Sequence, residues 1–154
     1  MRKLSKDTPL SEITLRRYEK PGVEGRELVR KLCLSLGLLQ PGDSRDVIVD
    51  VFAVIIKESR DKKCINTSDL TKKVIIYREE NKLDNSGTAE SNIARQIRRL
   101  KELLIVEKIN GGYRLVEGYS LFEIFSEKIS RLIINNISER ISEYCQTIDI
   151  SDKI

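Results

Sequence analysis

The stretch from Thr88 to Val116, TAESNIARQIRRLKELLIVEKINGGYRLV, constrains this chain most, because its hydrophobic period changes once and sharply. Ile93, Ile97, Leu100 and Leu104 follow at intervals of four, three and four, which predicts a helix over 88–104 with those side chains stacked toward a core. The opposite side of that helix collects Thr88, Ser91, Asn92, Arg95, Arg98, Arg99 and Glu102, with Gln96 on its flank. No acidic residue occurs between Ser91 and Lys101, so this side is cationic and rich in groups that hydrogen-bond phosphates and base edges. After Leu104 come two short β-branched runs, 105–109 and 113–116, joined by Asn110-Gly111-Gly112. That join predicts a hairpin, since tight turns need positive φ. Alternation puts Val106, Lys108, Tyr113 and Leu115 on one face, and Ile105, Glu107, Ile109, Arg114 and Val116 on the other.

Three further helices precede this unit. In 24–39, Leu28, Val29, Leu32, Cys33, Leu36 and Leu39 recur at helical spacing, and Gln40-Pro41-Gly42 ends the run. Asp43 or Ser44 is placed to cap the next helix, with Asp46 in its first turn. The body of that segment, VIVDVFAVIIKES, has the β-branched content of a strand, but its length without a turn signal reads as a buried helix. The polar connection SRDKKCIN follows, with Ile65 as a short strand able to pair with the hairpin. Thr67-Ser68-Asp69 then caps LTKKVIIYREEN, whose Leu70, Val74 and Tyr77 point inward. The connection NKLDNSG is longer than the turn of a simple helix-turn-helix, and Ser86 to Thr88 are expected to cap the cationic helix.

Two helices, a cationic third helix and a Gly-tipped hairpin over residues 44–117 resemble a winged helix-turn-helix domain. The segment 88–104 stands in the place of its recognition helix and 105–116 in that of its wing. With the added helix before it, the arrangement resembles small MarR-like and PadR-like transcriptional regulators, in which extra helices build a dimer interface. The resemblance implies a mainly α fold with a small β-hairpin, and double-stranded DNA as the partner. Thr88, Ser91, Asn92, Arg95, Gln96, Arg99, Lys108 and Arg114 are then the DNA-binding residues. Of these, Asn92, Arg95 and Gln96 suit base reading in the major groove, while Arg99, Lys108 and Arg114 suit the phosphate backbone. Winged helices also serve as protein-interaction or adaptor modules in transcription, replication or cell-division assemblies, and fold alone does not decide between the two.

After Gly118, apolar residues recur at three-and-four spacing from Leu121 to Ile148, predicting a helix of about 28 residues, some 42 Å long at ~1.5 Å per residue. Leu121, Phe125 and Ile129 are expected to pack on the body of the domain. Further along, the stripe rotates away, and Ile133, Ile137, Ile141 and Tyr144 are assigned to a homodimer interface. The chain thus divides into a basic arm (1–23), an N-terminal helix (24–43), the winged unit (44–117) and a C-terminal dimerisation helix with a frayed tail (118–154). In the arm, Leu10, Ile13 and Leu15 are candidate anchors beside Arg16 and Arg17.

Composition narrows the function classes. With 28 Lys and Arg against 24 Asp and Glu the net charge is only +4, so its placement matters: basic in the arm and in 88–114, acidic after 119. The chain has no histidine, which removes Ser-His and Cys-His pairs, and it lacks a phosphate-binding G-x-x-x-x-G-K-[ST] loop and a GxGxxG turn. Cys33, Cys64 and Cys145 are far apart and form no CxxC pair. These features predict no enzyme, no metal and no cofactor, and they identify no small-molecule effector. The richness in Ile, Lys, Glu and Arg resembles that of thermophilic proteins. No apolar run approaches the ~20 residues of a membrane span and 1–12 lacks a signal-peptide core, so a cytoplasmic protein with no membrane partner is expected.

Overall fold

The segment VIVDVFAVII, open to either period in the sequence, is a helix, and it is the axis on which the other elements are assembled. The computed structural model describes residues 12–13 and 16–153. Among them, α1 (Arg26–Ser35), α3 (Thr67–Glu80), α4 (Glu90–Glu102) and β2 (Gly112–Leu115) all pack on α2 (Val47–Arg60). Every residue from Val47 to Ile56 is buried, which is why that stretch is apolar on every side except at Asp50. Burial on all sides outweighs the weak strand preference of its valines and isoleucines. Of the expected arm anchors, Leu10 and Leu15 lie outside the described residues, and Ile13 is exposed.

Four helices stop by one device. Gly37, Lys62, Lys82 and Leu104 take left-handed backbone just past α1, α2, α3 and α4. The next amide in each case donates back into the helix: Leu38 to Cys33 at 2.9 Å, Lys63 to Glu58 at 3.0 Å, Leu83 to Arg78 at 2.9 Å and Ile105 to Leu100 at 3.0 Å. These bonds occupy carbonyls that the helix end leaves without partners. Two expectations change as a result. The first helix ends at Ser35, before the Pro41 turn, because Gly37 supplies the reversal. Leu104, expected as the last inward rung of α4, lies beyond the helix and is 38% exposed, while Leu103 enters the core. The caps shift as well: α2 starts from Asp46 and α3 from Asn66, whose side chain accepts the Asp69 amide at 2.8 Å.

The hairpin forms as its sequence dictates. β1 (Val106–Ile109) pairs antiparallel with β2, with Val106 opposite Leu115, Glu107 opposite Arg114 and Lys108 opposite Tyr113. Asn110 and Gly111 turn the chain with φ of 49° and 76°, the two positive values that a tight primed turn requires. Ile65 joins as a one-residue third strand, exchanging two backbone hydrogen bonds with Tyr113 at 2.8 and 3.0 Å. Gly112 is fixed by that approach, since a Cβ there would sit 2.9 Å from the Cys64 Cβ.

An ionic cluster lies inside the helix bundle. Asp50 of α2 is 0% exposed, and it receives Arg26 Nε at 2.7 Å, Arg26 Nη2 at 3.1 Å and Arg78 Nη1 at 2.6 Å. Asp46, one turn earlier, adds a 2.9 Å ion pair to Arg26. Burial opposes the Arg26 charge, but the hydrogen bonds and attraction of Asp50 and Asp46 outweigh it and raise its pKa. One arginine from α1 and one from α3 are thereby tied to α2, with no buried side-chain polar atom left unpartnered among the described residues.

The C-terminal segment is one continuous helical rod: α5 (Leu121–Ile124), a π-helical stretch (Phe125–Ile134) and α6 (Asn135–Asp149). Ser120 and Glu123 start it with a reciprocal capping box. In the π stretch, residues five apart line up, so Ile124 and Ile129 are both buried in the core, with Leu121 and Ile133 partly buried beside them. Phe125, expected inward, is exposed, because the four-residue stripe assumed ordinary α turns. No helix among the described residues is long and apolar enough to cross a membrane.

Three outcomes follow from this packing. Asp50→Ala leaves two buried arginines short of a partner and should cost about 3–5 kcal/mol, read as a lower urea midpoint at constant slope. Replacing Arg26, Asp50 and Arg78 together by apolar residues should cost less than that single change. Cys33 is buried and its thiol is pushed up to about 12. It should react with a thiol reagent only on unfolding, at the rate of urea-induced opening.

Candidate nucleic-acid interface

The placement of α4 starts from the ionic cluster. Arg78, besides binding Asp50, donates from Nε to the Asp84 carbonyl at 2.6 Å, so the loop that leads into α4 is held to the buried arginine. Asp84 then accepts the Ser86 amide at 3.0 Å. That backbone hydrogen bond, helped by Arg78, holds the Asp84 carboxyl below its usual range. The Thr88 hydroxyl donates to the Asn85 carbonyl at 2.7 Å, closing the turn. α4 itself starts from Ala89 with no side-chain cap, so Ser86 to Thr88 order the loop rather than cap the helix as expected.

Within α4, Ile93, Ile97 and Leu100 are buried, and the remaining positions fall into two rows. Asn92, Gln96 and Arg99 form a half-buried row linked by hydrogen bonds. Arg99 Nη1 donates to Gln96 Oε1 at 3.0 Å, Gln96 Nε2 donates to Asn92 Oδ1 at 3.2 Å, and Asn92 Nδ2 donates to the Gly87 carbonyl at 2.7 Å. Arg99 Nη2 also donates to the Leu38 carbonyl at 2.6 Å, which anchors the row to the turn after α1. Ser91, Arg95, Arg98 and Lys101 form the second row; all are exposed and have no hydrogen bond or ion pair among the described residues.

The hairpin separates its two cations. Lys108 is exposed and unpaired among the described residues, on the face whose Val106 and Leu115 enter the core. Arg114 is on the opposite face, where its Nε donates to Glu107 at 2.9 Å. The Glu107 carboxylate also accepts the Glu117 amide at 2.8 Å.

Of the residues assigned from sequence, the structure brings Ser91, Asn92, Arg95, Gln96 and Arg99 together on one helix. Thr88 lies in the loop before it and the two hairpin cations lie apart. Arg98, left out of that assignment, belongs with Arg95; its signal was the four-three spacing from Ser91 through Arg95. The tie from Arg99 to Leu38 had no signal, since it spans 61 positions of sequence. Comparison of the chain with protein-family models, with curated proteins and with solved structures gives no match.

The two rows should separate in mutagenesis. Arg99→Ala removes two hydrogen bonds from a charged donor in a half-buried site and should lower stability by about 1–2 kcal/mol. Arg95→Ala and Arg98→Ala should each stay within about 0.5 kcal/mol. Thermal unfolding of the three variants side by side reads the difference.

Proposed function

We propose that α2, α3, α4 and the hairpin act as a winged helix-turn-helix unit, and that the protein binds double-stranded DNA as a homodimeric transcriptional regulator. The observation that carries this reading is the exposed row of α4, where Arg95, Arg98 and Lys101 make no ion pair among the described residues. Cations left without partners on a rigid helix suit phosphates and guanine edges. In this reading Arg95 contacts bases, Ser91, Arg98 and Lys108 contact the backbone, and Thr88 and Arg114 lie at the margins. Gln96, held by Arg99, and Asn92, held by Gln96 and the Gly87 carbonyl, present their amides in fixed orientations. A protein-interaction module would need apolar side chains on this surface, and Ala94 is the one apolar residue among the exposed positions of α4.

The partner copy is inferred from the rod. From Ile134 to Ile150 every residue is exposed, and Ile137, Ile141 and Tyr144 are 53%, 55% and 59% exposed. With Ile134 and Ile148 they recur at three-four-three-four, the seam of a two-helix coiled coil. Leaving them in water forfeits roughly 1.5–3 kcal/mol for each, which pairing with a second copy recovers. Ile133, assigned to this interface from sequence, is turned partly to its own core. Two copies would set two α4 helices for half-sites about 34 Å apart.

Titration of generic duplex DNA at several salt concentrations tests the binding. About six to eight neutralised phosphates give a log-log slope of roughly −5 to −7, and a flat dependence contradicts it. Arg95→Ala should cost about 1–3 kcal/mol on the preferred site and much less on random DNA. For the dimer, sedimentation should give twice the chain mass for the intact protein and the chain mass after Ile137, Ile141 and Tyr144 are changed to serine. A monomeric intact protein at micromolar concentration contradicts the dimer.

A further inference from the structure

The other end of the chain builds a cavity that DNA binding does not use. Residues 16–21, without regular structure, lie beside α1 as a strap, and Lys31 Nζ donates to Glu19 Oε2 at 3.0 Å, latching the strap to the helix. The strap, α1, the end of α2 and Leu121 enclose a half-open cavity of about 670 Å³. That volume lies within the roughly 300–1,000 Å³ of sites that take small molecules.

The lining has two chemistries. Leu32, Ile56 and Leu121 form an apolar floor, and Leu28, one turn from Leu32 on α1, is exposed at its mouth. The rim carries four cations, Arg16, Arg17, Lys31 and Arg60, against the single carboxylate of Glu19, which Lys31 already engages. Arg60 sits one turn beyond Ile56 on α2 and has no hydrogen bond or ion pair among the described residues. An apolar floor disfavours a small hydrated ion, and a cationic rim disfavours a positive head group. A molecule that satisfies both has a hydrocarbon body and a negative head.

We propose that this cavity binds a dissolved amphiphilic carboxylate, with its hydrocarbon part on Leu28, Leu32, Ile56 and Leu121 and its carboxylate beside Arg60 and the strap arginines. The site is independent of the DNA reading and stands or falls separately from it.

Calorimetric titration of the protein with decanoate tests it, with decyltrimethylammonium and acetate as controls. The expected result is saturable binding of one decanoate per chain, weakened by salt, with acetate and the cation binding far more weakly. Arg60→Gln should weaken decanoate about fivefold, the scale of one partly solvated ion pair. Leu28→Glu should weaken it further by placing a carboxylate in the mouth. Both positions are exposed, and unchanged circular-dichroism melting will show that the fold is kept. Equal affinity for decanoate and decyltrimethylammonium overturns the proposal, as does decanoate binding that neither substitution alters, which would place the ligand on the apolar seam of α6. Absence of saturation up to millimolar decanoate, or preference for phosphatidylglycerol vesicles over the dissolved anion, overturns it as well.

Discussion

Asp50 stands without solvent between two arginines, and the arrangement of the bundle depends on that contact. A carboxylate in an apolar interior is tolerated only with its oxygens filled, and here Arg26 and Arg78 fill them from opposite neighbours of α2. Sliding α1 or α3 by one turn would strand charge in the core. The cluster therefore favours one registration of three helices, a kind of selectivity that apolar packing supplies less sharply. Its effect reaches further through Arg78, which also holds the loop carbonyl of Asp84 and so sets where α4 begins.

The surface of α4 is a consequence of that placement. One row of its polar side chains is tied inward, to each other and to Leu38, and the adjacent row is left free in solvent. A binding helix needs both properties. The Arg99 chain fixes the orientation of the tied row, and the free row keeps its charge without an ion pair to its own protein. The C-terminal rod divides in a similar way: the π stretch keeps Ile124 and Ile129 on the core, and beyond Ile134 the seam of α6 faces solvent.

Much of this was legible in the sequence, and the reasons differ by element. The hairpin was readable because Asn110-Gly111 specifies a turn by backbone geometry alone, and the buried α2 because no turn residue interrupts it. Helix ends were less so. Leu103 and Leu104 are identical in kind, and only the left-handed reversal at Leu104 decides which of them enters the core. The π register was invisible, since the same residues fit a four-residue stripe. Asp50 was a missed signal: a lone charge within VIVDVFAVII implies a buried partner, but the arginines that answer it are 24 and 28 positions away. The free and tied rows of α4 could not be separated from the helical wheel, because the tie runs to a carbonyl outside the helix.

In the proposed function, the free row of α4, held in place through the ionic cluster, is the surface that meets duplex DNA. Hydrogen exchange of the intact protein, with and without a generic duplex at low salt, tests it most directly because it maps the contact without altering a residue. The expected result is added protection in the peptides spanning 84–101 and in the Lys108 strand, with the 134–149 helix unchanged. Protection confined to the C-terminal rod or to residues 16–35, with 84–101 unaffected at saturating DNA, would contradict it.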